Sequence, residues 1–136
     1  MSDDVSREVY MEKRKRIYLA CPYTHENAEV MEYRAKIATA MASFYMRVHE
    51  YIVFSPITYG HEVCKHGVAH GFGWWKEMDL SIIKEWATEV HCINLAGYEN
   101  SVGMKAEIAF AEENKIPVIE IDHDVVAMII RRACRG

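Results

Sequence analysis

The chain has 136 residues, half of them apolar and a quarter charged, with a net charge of −4. That length suits a single domain able to bury a core without staples, and the acidic balance argues against a binder of nucleic-acid polymers, which needs a basic footprint. Four cysteines without a CxxC pair (Cys21, Cys64, Cys92, Cys134) fit free thiols in a reducing cytosol, and with no signal peptide and no apolar run long enough to span a bilayer the expectation is a cytoplasmic protein with no membrane partner.

In chain order, residues 1–16 read as a polar lead-in ending in the basic run Lys13, Arg14, Lys15, Arg16, a solvated segment rather than a targeting signal. Residues 17–136 read as the folded domain. Ile17 to Ala20 is a short buried strand broken at Cys21 and Pro22. A long helix follows from about Ala28 to Val48, with Ala35, Ala38, Met41, Ala42 and Tyr45 at helical spacing. Tyr51 to Phe54 is a second strand, stopped by Ser55 and Pro56. An irregular stretch, Thr58 to Gly73, leads into a helix from Trp74 to Trp86. Then come a strand at Glu89–Leu95, a helix at Ser101–Asn114, a strand at Ile116–Ile121 and a last helix capped near Asp122 or Asp124. Short apolar strands alternating with helices predict an α/β domain, a doubly wound parallel sheet of four to five strands covered on both faces, Rossmann- or flavodoxin-like.

In such a fold the ligand sits outside the carboxyl ends of the strands, at a switch in strand order. The loops 21–24, 56–73 and 96–101 qualify. No GxGxxG follows the first strand and no Walker sequence is present. A nicotinamide dehydrogenase and a P-loop kinase are therefore disfavoured, and no cofactor is expected. The first loop, Cys21, Pro22, Tyr23 and Thr24, instead offers backbone amides beyond Pro22 and the hydroxyls of Tyr23 and Thr24.

The segment Ser101, Val102, Gly103, Met104, Lys105, Ala106, Glu107 carries the most information. Ser101 is a good N-cap, and its hydroxyl with the first free amides can bind an anion. Gly103 lets a ligand approach the backbone closely. Glu107 lies one turn later, and helical side chains lean toward the N-terminus, so its carboxylate points back at the same spot. An anion site beside a carboxylate suggests a phosphorylated sugar attacked or stabilised by Glu107. A second carboxylate stands out by phase. Asp79 lies four residues after Trp75 and three before Ile82, within the stripe of Trp75, Ile82, Ile83 and Trp86. A carboxylate facing a core is costly unless paired or used; near its helix start, Asp79 is also expected to gain from the dipole. Two carboxylates in unlike environments can divide the labour of cleaving a glycosidic bond.

The strand from Ile17 to Ala20, the central Asp79, and Ser101 and Gly103 followed by Glu107, Ile108 and Ala111 resemble the nucleoside 2-deoxyribosyltransferase superfamily, which includes the nucleoside 5'-monophosphate N-glycosidases. The resemblance runs from about Ile17 to Ile121. It implies that Glu107 is the nucleophile at C1', that Asp79 handles the leaving base, and that Tyr18 orients the nucleophile. Six residues before the nucleophile, the transferases using free nucleosides carry Asp, and the monophosphate glycosidases carry a Ser that holds phosphate. This chain has Ser101, and an Asp there would repel a dianion that a hydroxyl at a helix N-terminus would bind. The resemblance therefore implies hydrolysis of a (deoxy)nucleoside monophosphate, with a base-exchanging transferase and a silent nucleotide-binding module as the alternatives. The expected partner is a small-molecule nucleotide.

The stretch from His61 to His70 fits no standard zinc spacing. It reads as a lid over the base, hinged at Gly71 and Gly73, with Trp74 placed to stack on a ring; no metal is assigned. Finally, Met41, Phe44, Tyr45 and Met46 exceed what one helix face normally buries. This pattern, together with the resemblance, predicts a homodimer or larger homo-oligomer.

Overall fold

A computed structural model of the protein describes residues 14–135. Four parallel strands, β1 (Arg16–Ala20), β2 (Ile52–Phe54), β3 (Glu89–Cys92) and β4 (Val118–Glu120), form one sheet in the order β2-β1-β3-β4. Five helices flank it: α1 (Ala28–Phe44), α2 (Pro56–Cys64), α3 (Phe72–Glu85), α4 (Val102–Glu113) and α5 (His123–Ala133). This is the doubly wound α/β architecture expected from the alternation of elements. The chain leaves β2 on one side of β1 and returns on the other to make β3, so the strand order reverses between β1 and β3.

Side chains alternate along β1 and divide the core in two. Ile17, Leu19 and Cys21 face α1 and α5, packing with Ile37, Met41, Ile93, Val126 and Ile129. Tyr18 and Ala20 face α3 and α4, packing with Ile83, Val90, Met104 and Ala111. The period of two in a strand makes this division a matter of register. Tyr18 stands opposite Val90 and Leu19 opposite His91.

The lead-in boundary moves inward. Arg16 belongs to β1, where its backbone N–H donates to the Thr88 hydroxyl (2.8 Å) and its Nε to the Trp86 carbonyl (2.6 Å). Lys15 pairs with Glu89 at 3.1 Å. The end of the basic run is thus bonded into the domain; Lys13 lies outside the described residues. Glu89 also accepts from His91 Nε2 (2.8 Å), and the other ring nitrogen of His91 meets the Tyr45 hydroxyl at 2.6 Å. Tyr45 opens a π-helical turn (Tyr45–His49) that closes α1 with Glu50 in the left-handed region.

Two expectations change. The stretch 58–73 is not wholly irregular, because α2 occupies its first part. Strand β2 stops at Phe54 as expected, and Pro56 is the first residue of that helix, a position where its missing N–H costs nothing. The next helix starts at Phe72, so Asp79 is its eighth residue, past the first turn where the macrodipole acts. In addition, Met41 and Tyr45 are buried in this domain's own core and Phe44 packs against it, which leaves Met46 as the exposed one of the four. The apolar surplus that suggested a partner along α1 is absorbed internally.

Candidate active site

Three side chains from three elements meet on the α3/α4 face of the sheet. Tyr18 points there because of strand alternation and is fully buried. Glu107 is one turn after Met104 and one before Ala111 on the inward stripe of α4, and is only 9% exposed. Asp79 reaches in from α3, one turn before the buried Ile83. The Tyr18 hydroxyl donates to Glu107 Oε2, and Asp79 is close enough to act electrostatically on both.

Burial dominates the electrostatics. Loss of hydration pushes the Glu107 carboxyl up to about 8, with the Asp79 charge adding to the rise and the Tyr18 hydroxyl opposing it. Asp79 rises to about 6 by burial, again opposed by Tyr18. Tyr18 itself is pushed well above the usual phenol range, first by burial and then by the two carboxyls, so it remains a donor. Near neutrality the two carboxyls therefore hold about one proton between them, with Tyr18 as the common neighbour.

Less than two turns upstream of Glu107, Ser101 caps α4 by accepting from the Met104 N–H at 3.2 Å. Its own hydroxyl proton remains to be donated. The amides of Val102 and Gly103, at the helix start, have no acceptor within the helix. Beside them lies a cavity of about 400 Å³ lined by Thr24, His25, Arg34, Gly97, Asn100 and Ser101. The structure thus brings together the predicted Tyr18, Asp79 and Glu107, and it joins Ser101 and Thr24 at one cavity. Residues 15–123 match a family described as a domain of unknown function, DUF1937. The chain belongs to that family. No curated protein matches it.

Other predicted residues of this DUF1937 domain lie elsewhere. Pro22 is fully buried and presents no surface to a ligand. The Tyr23 hydroxyl is turned to α2, 2.7 Å from His61 Nδ1, and His61 Nε2 meets Glu32 at 2.6 Å. His61 is thereby committed to a Tyr–His–Glu chain, and part of the expected lid is helix bonded to the first loop. Trp74 is 46% exposed and stacks on His70 with ring centroids 4.2 Å apart. Its phase turns it away from the Asp79 face of α3. Phe72, two turns before Asp79 on that face, is the aromatic beside the site: a Cβ on Gly103 would lie 3.9 Å from its ring.

Arg34 lines the cavity beside Ser101, although its sequence context alone did not single it out. It is 8% exposed, and its guanidinium donates to the carbonyls of Thr24 (3.2 Å) and Tyr23 (3.4 Å) in the first loop and Ala96 (3.1 Å) in the loop after β3. Gly97 fits this arrangement on two counts. Its φ of +90° is left-handed, and a Cβ there would fall 2.8 Å from Arg34 Nη2. The signal was present in phase: Arg34 precedes Ala38 by four and Met41 by seven, a charge in the apolar stripe of α1, as Asp79 is in that of α3.

Proposed function

We propose that the protein hydrolyses the N-glycosidic bond of a (deoxy)nucleoside 5'-monophosphate. The observation that carries this reading is the buried meeting of Tyr18, Asp79 and Glu107, within two turns of a helix N-terminus that faces a polar cavity. The resemblance to the nucleoside 2-deoxyribosyltransferase superfamily rests on the same residues. Ser101 and the Val102 and Gly103 amides hold the 5'-phosphate, which places C1' toward Glu107. With one proton between the carboxyls, moving it from Glu107 to Asp79 creates a nucleophile and an acid together. Tyr18, donating to Glu107, favours that ionised form. Glu107 then attacks C1' as the C1'–N bond breaks, and Asp79 delivers its proton to the departing base. Water, deprotonated by Asp79, cleaves the glycosyl–Glu107 ester to sugar phosphate and restores the pair.

The test is incubation with each common deoxynucleoside monophosphate, and the readout is free base. Release of base without an added acceptor supports hydrolysis. Exchange only when a second base is present assigns the transferase, and binding without turnover assigns a silent nucleotide-binding module.

A further inference from the structure

Arg34 carries a positive charge into the interior, and all three of its hydrogen-bond partners are neutral carbonyls. Among the described residues no carboxylate lies within ion-pair distance of it. Carbonyl dipoles satisfy the N–H groups of a guanidinium without neutralising it, and a buried charge without a counter-charge is costly. A bridge between two loops does not need that charge, since a neutral amide can also donate to carbonyls. Yet Arg34 lines the cavity beside Ser101 and the start of α4, the end of a helix that also favours an anion.

We infer that Arg34 is the counter-charge and positioning residue for an anionic group of the ligand, a phosphate, seated in the cavity between the β1–α1 and β3–α4 loops. The inference rests on the monophosphate reading of the site and extends it to a second element of recognition. Its fork holds both walls of the cavity, with Tyr23 and Thr24 on one side and Ala96 on the other, while its charge raises the affinity of the space between them for anions. Gly97 is the residue that makes room for the fork.

Binding rather than turnover provides the test, by calorimetry with inorganic phosphate, with each common deoxynucleoside 5'-monophosphate and with the matching nucleosides. Arg34→Gln should weaken phosphate and monophosphate binding by about tenfold or more and leave nucleoside binding within about twofold, the pattern of a lost charge-assisted contact. Arg34→Lys, which keeps the charge but not the fork, should recover part of the loss. Gly97→Ala, which displaces the guanidinium without removing it, should fall between Arg34→Gln and the wild type. Equal losses for monophosphate and nucleoside would mean a purely structural bridge and overturn the inference, as would unchanged binding or a wild type indifferent to phosphate. Should Arg34→Gln fail to fold, Arg34→Lys and Gly97→Ala decide between the two roles through the ratio of monophosphate to nucleoside affinity. Arg34-dependent monophosphate binding without base release would sink the glycosidase and leave this inference standing. Base release with unaltered selectivity in the variants would do the reverse.

Discussion

Glu107→Gln should abolish activity and stabilise the fold, and the second effect should grow with pH. A carboxyl whose folded pKa is raised binds its proton in the native state after the unfolded chain has released it. Stability is then fully present below the unfolded value and is lost as pH rises to the folded one. For Glu107 the window runs from its ordinary 4.5 to about 8. At about 1.36 kcal/mol per pH unit that span corresponds to roughly 4–5 kcal/mol. Glutamine is close in shape to the protonated acid and stays neutral throughout. Below about pH 4.5 the two proteins should therefore agree to within about 1 kcal/mol, the worth of one altered hydrogen bond. By pH 8 the variant should lead by several kcal/mol, which for a domain of this size is roughly 10–20 °C in midpoint. Urea unfolding of both proteins at half-unit steps from pH 4 to 9 measures this directly. A difference that stays flat with pH, or a wild type that leads at pH 8, would refute the claim that Glu107 is held in a desolvated pocket.

Four other variants, at Tyr18, Asp79 and Ser101, probe the residues around Glu107. Tyr18→Phe keeps the ring packed against Phe54 (6.0 Å between centroids) but removes the donor that lowers the Glu107 pKa; activity should fall by about 10–100-fold and its pH dependence shift to the alkaline side, as a pH–rate profile would show. Asp79→Asn should slow cleavage of natural bases more than of bases that leave easily, and equal losses across a leaving-group series would assign Asp79 a structural role. Ser101→Asp should impair monophosphate cleavage far more than nucleoside cleavage, while Ser101→Ala should cost about 1 kcal/mol of helix capping with a smaller change in selectivity; an unchanged ratio of kcat/KM across all three proteins would remove the phosphate from the mechanism.

The fold was legible because its signals are local. The apolar runs at 17–20, 51–54 and 89–95 are too short for helices, and Ser101 and Asp122 cap the helices that follow them as their side chains suggest. Glu107 was legible from its place one turn after Gly103 at a capped helix start, and Asp79 as a charge in an apolar stripe, a conflict between residue type and phase. What sequence could not supply was direction in space. Tyr23 reads as a ligand-facing hydroxyl, yet its partner His61 is 38 residues away on α2. Trp74 and Phe72 are two residues apart, and only the observed start of α3 decides which one faces Gly103. Arg34 carried the same signature as Asp79, but its meaning depends on two loops that come together only at the reversal of strand order between β1 and β3.

The Lys15–Glu89–His91–Tyr45 chain lies across the sheet from the two carboxyls and touches neither of them, yet it guards their geometry. Strand β3 is only four residues long, so a slip of one residue against β1 would lose little in backbone bonding. It would, however, carry Glu89 and His91 together to the opposite face, part Lys15 from Glu89, and leave the buried Tyr45 hydroxyl without its His91 partner, at about 1–3 kcal/mol. The same slip would displace Val90 from beside Tyr18. The polar chain on one face thus acts as a proofreading lock on strand alignment, penalising misregistered chains in which Tyr18 would no longer lie beside its native neighbour.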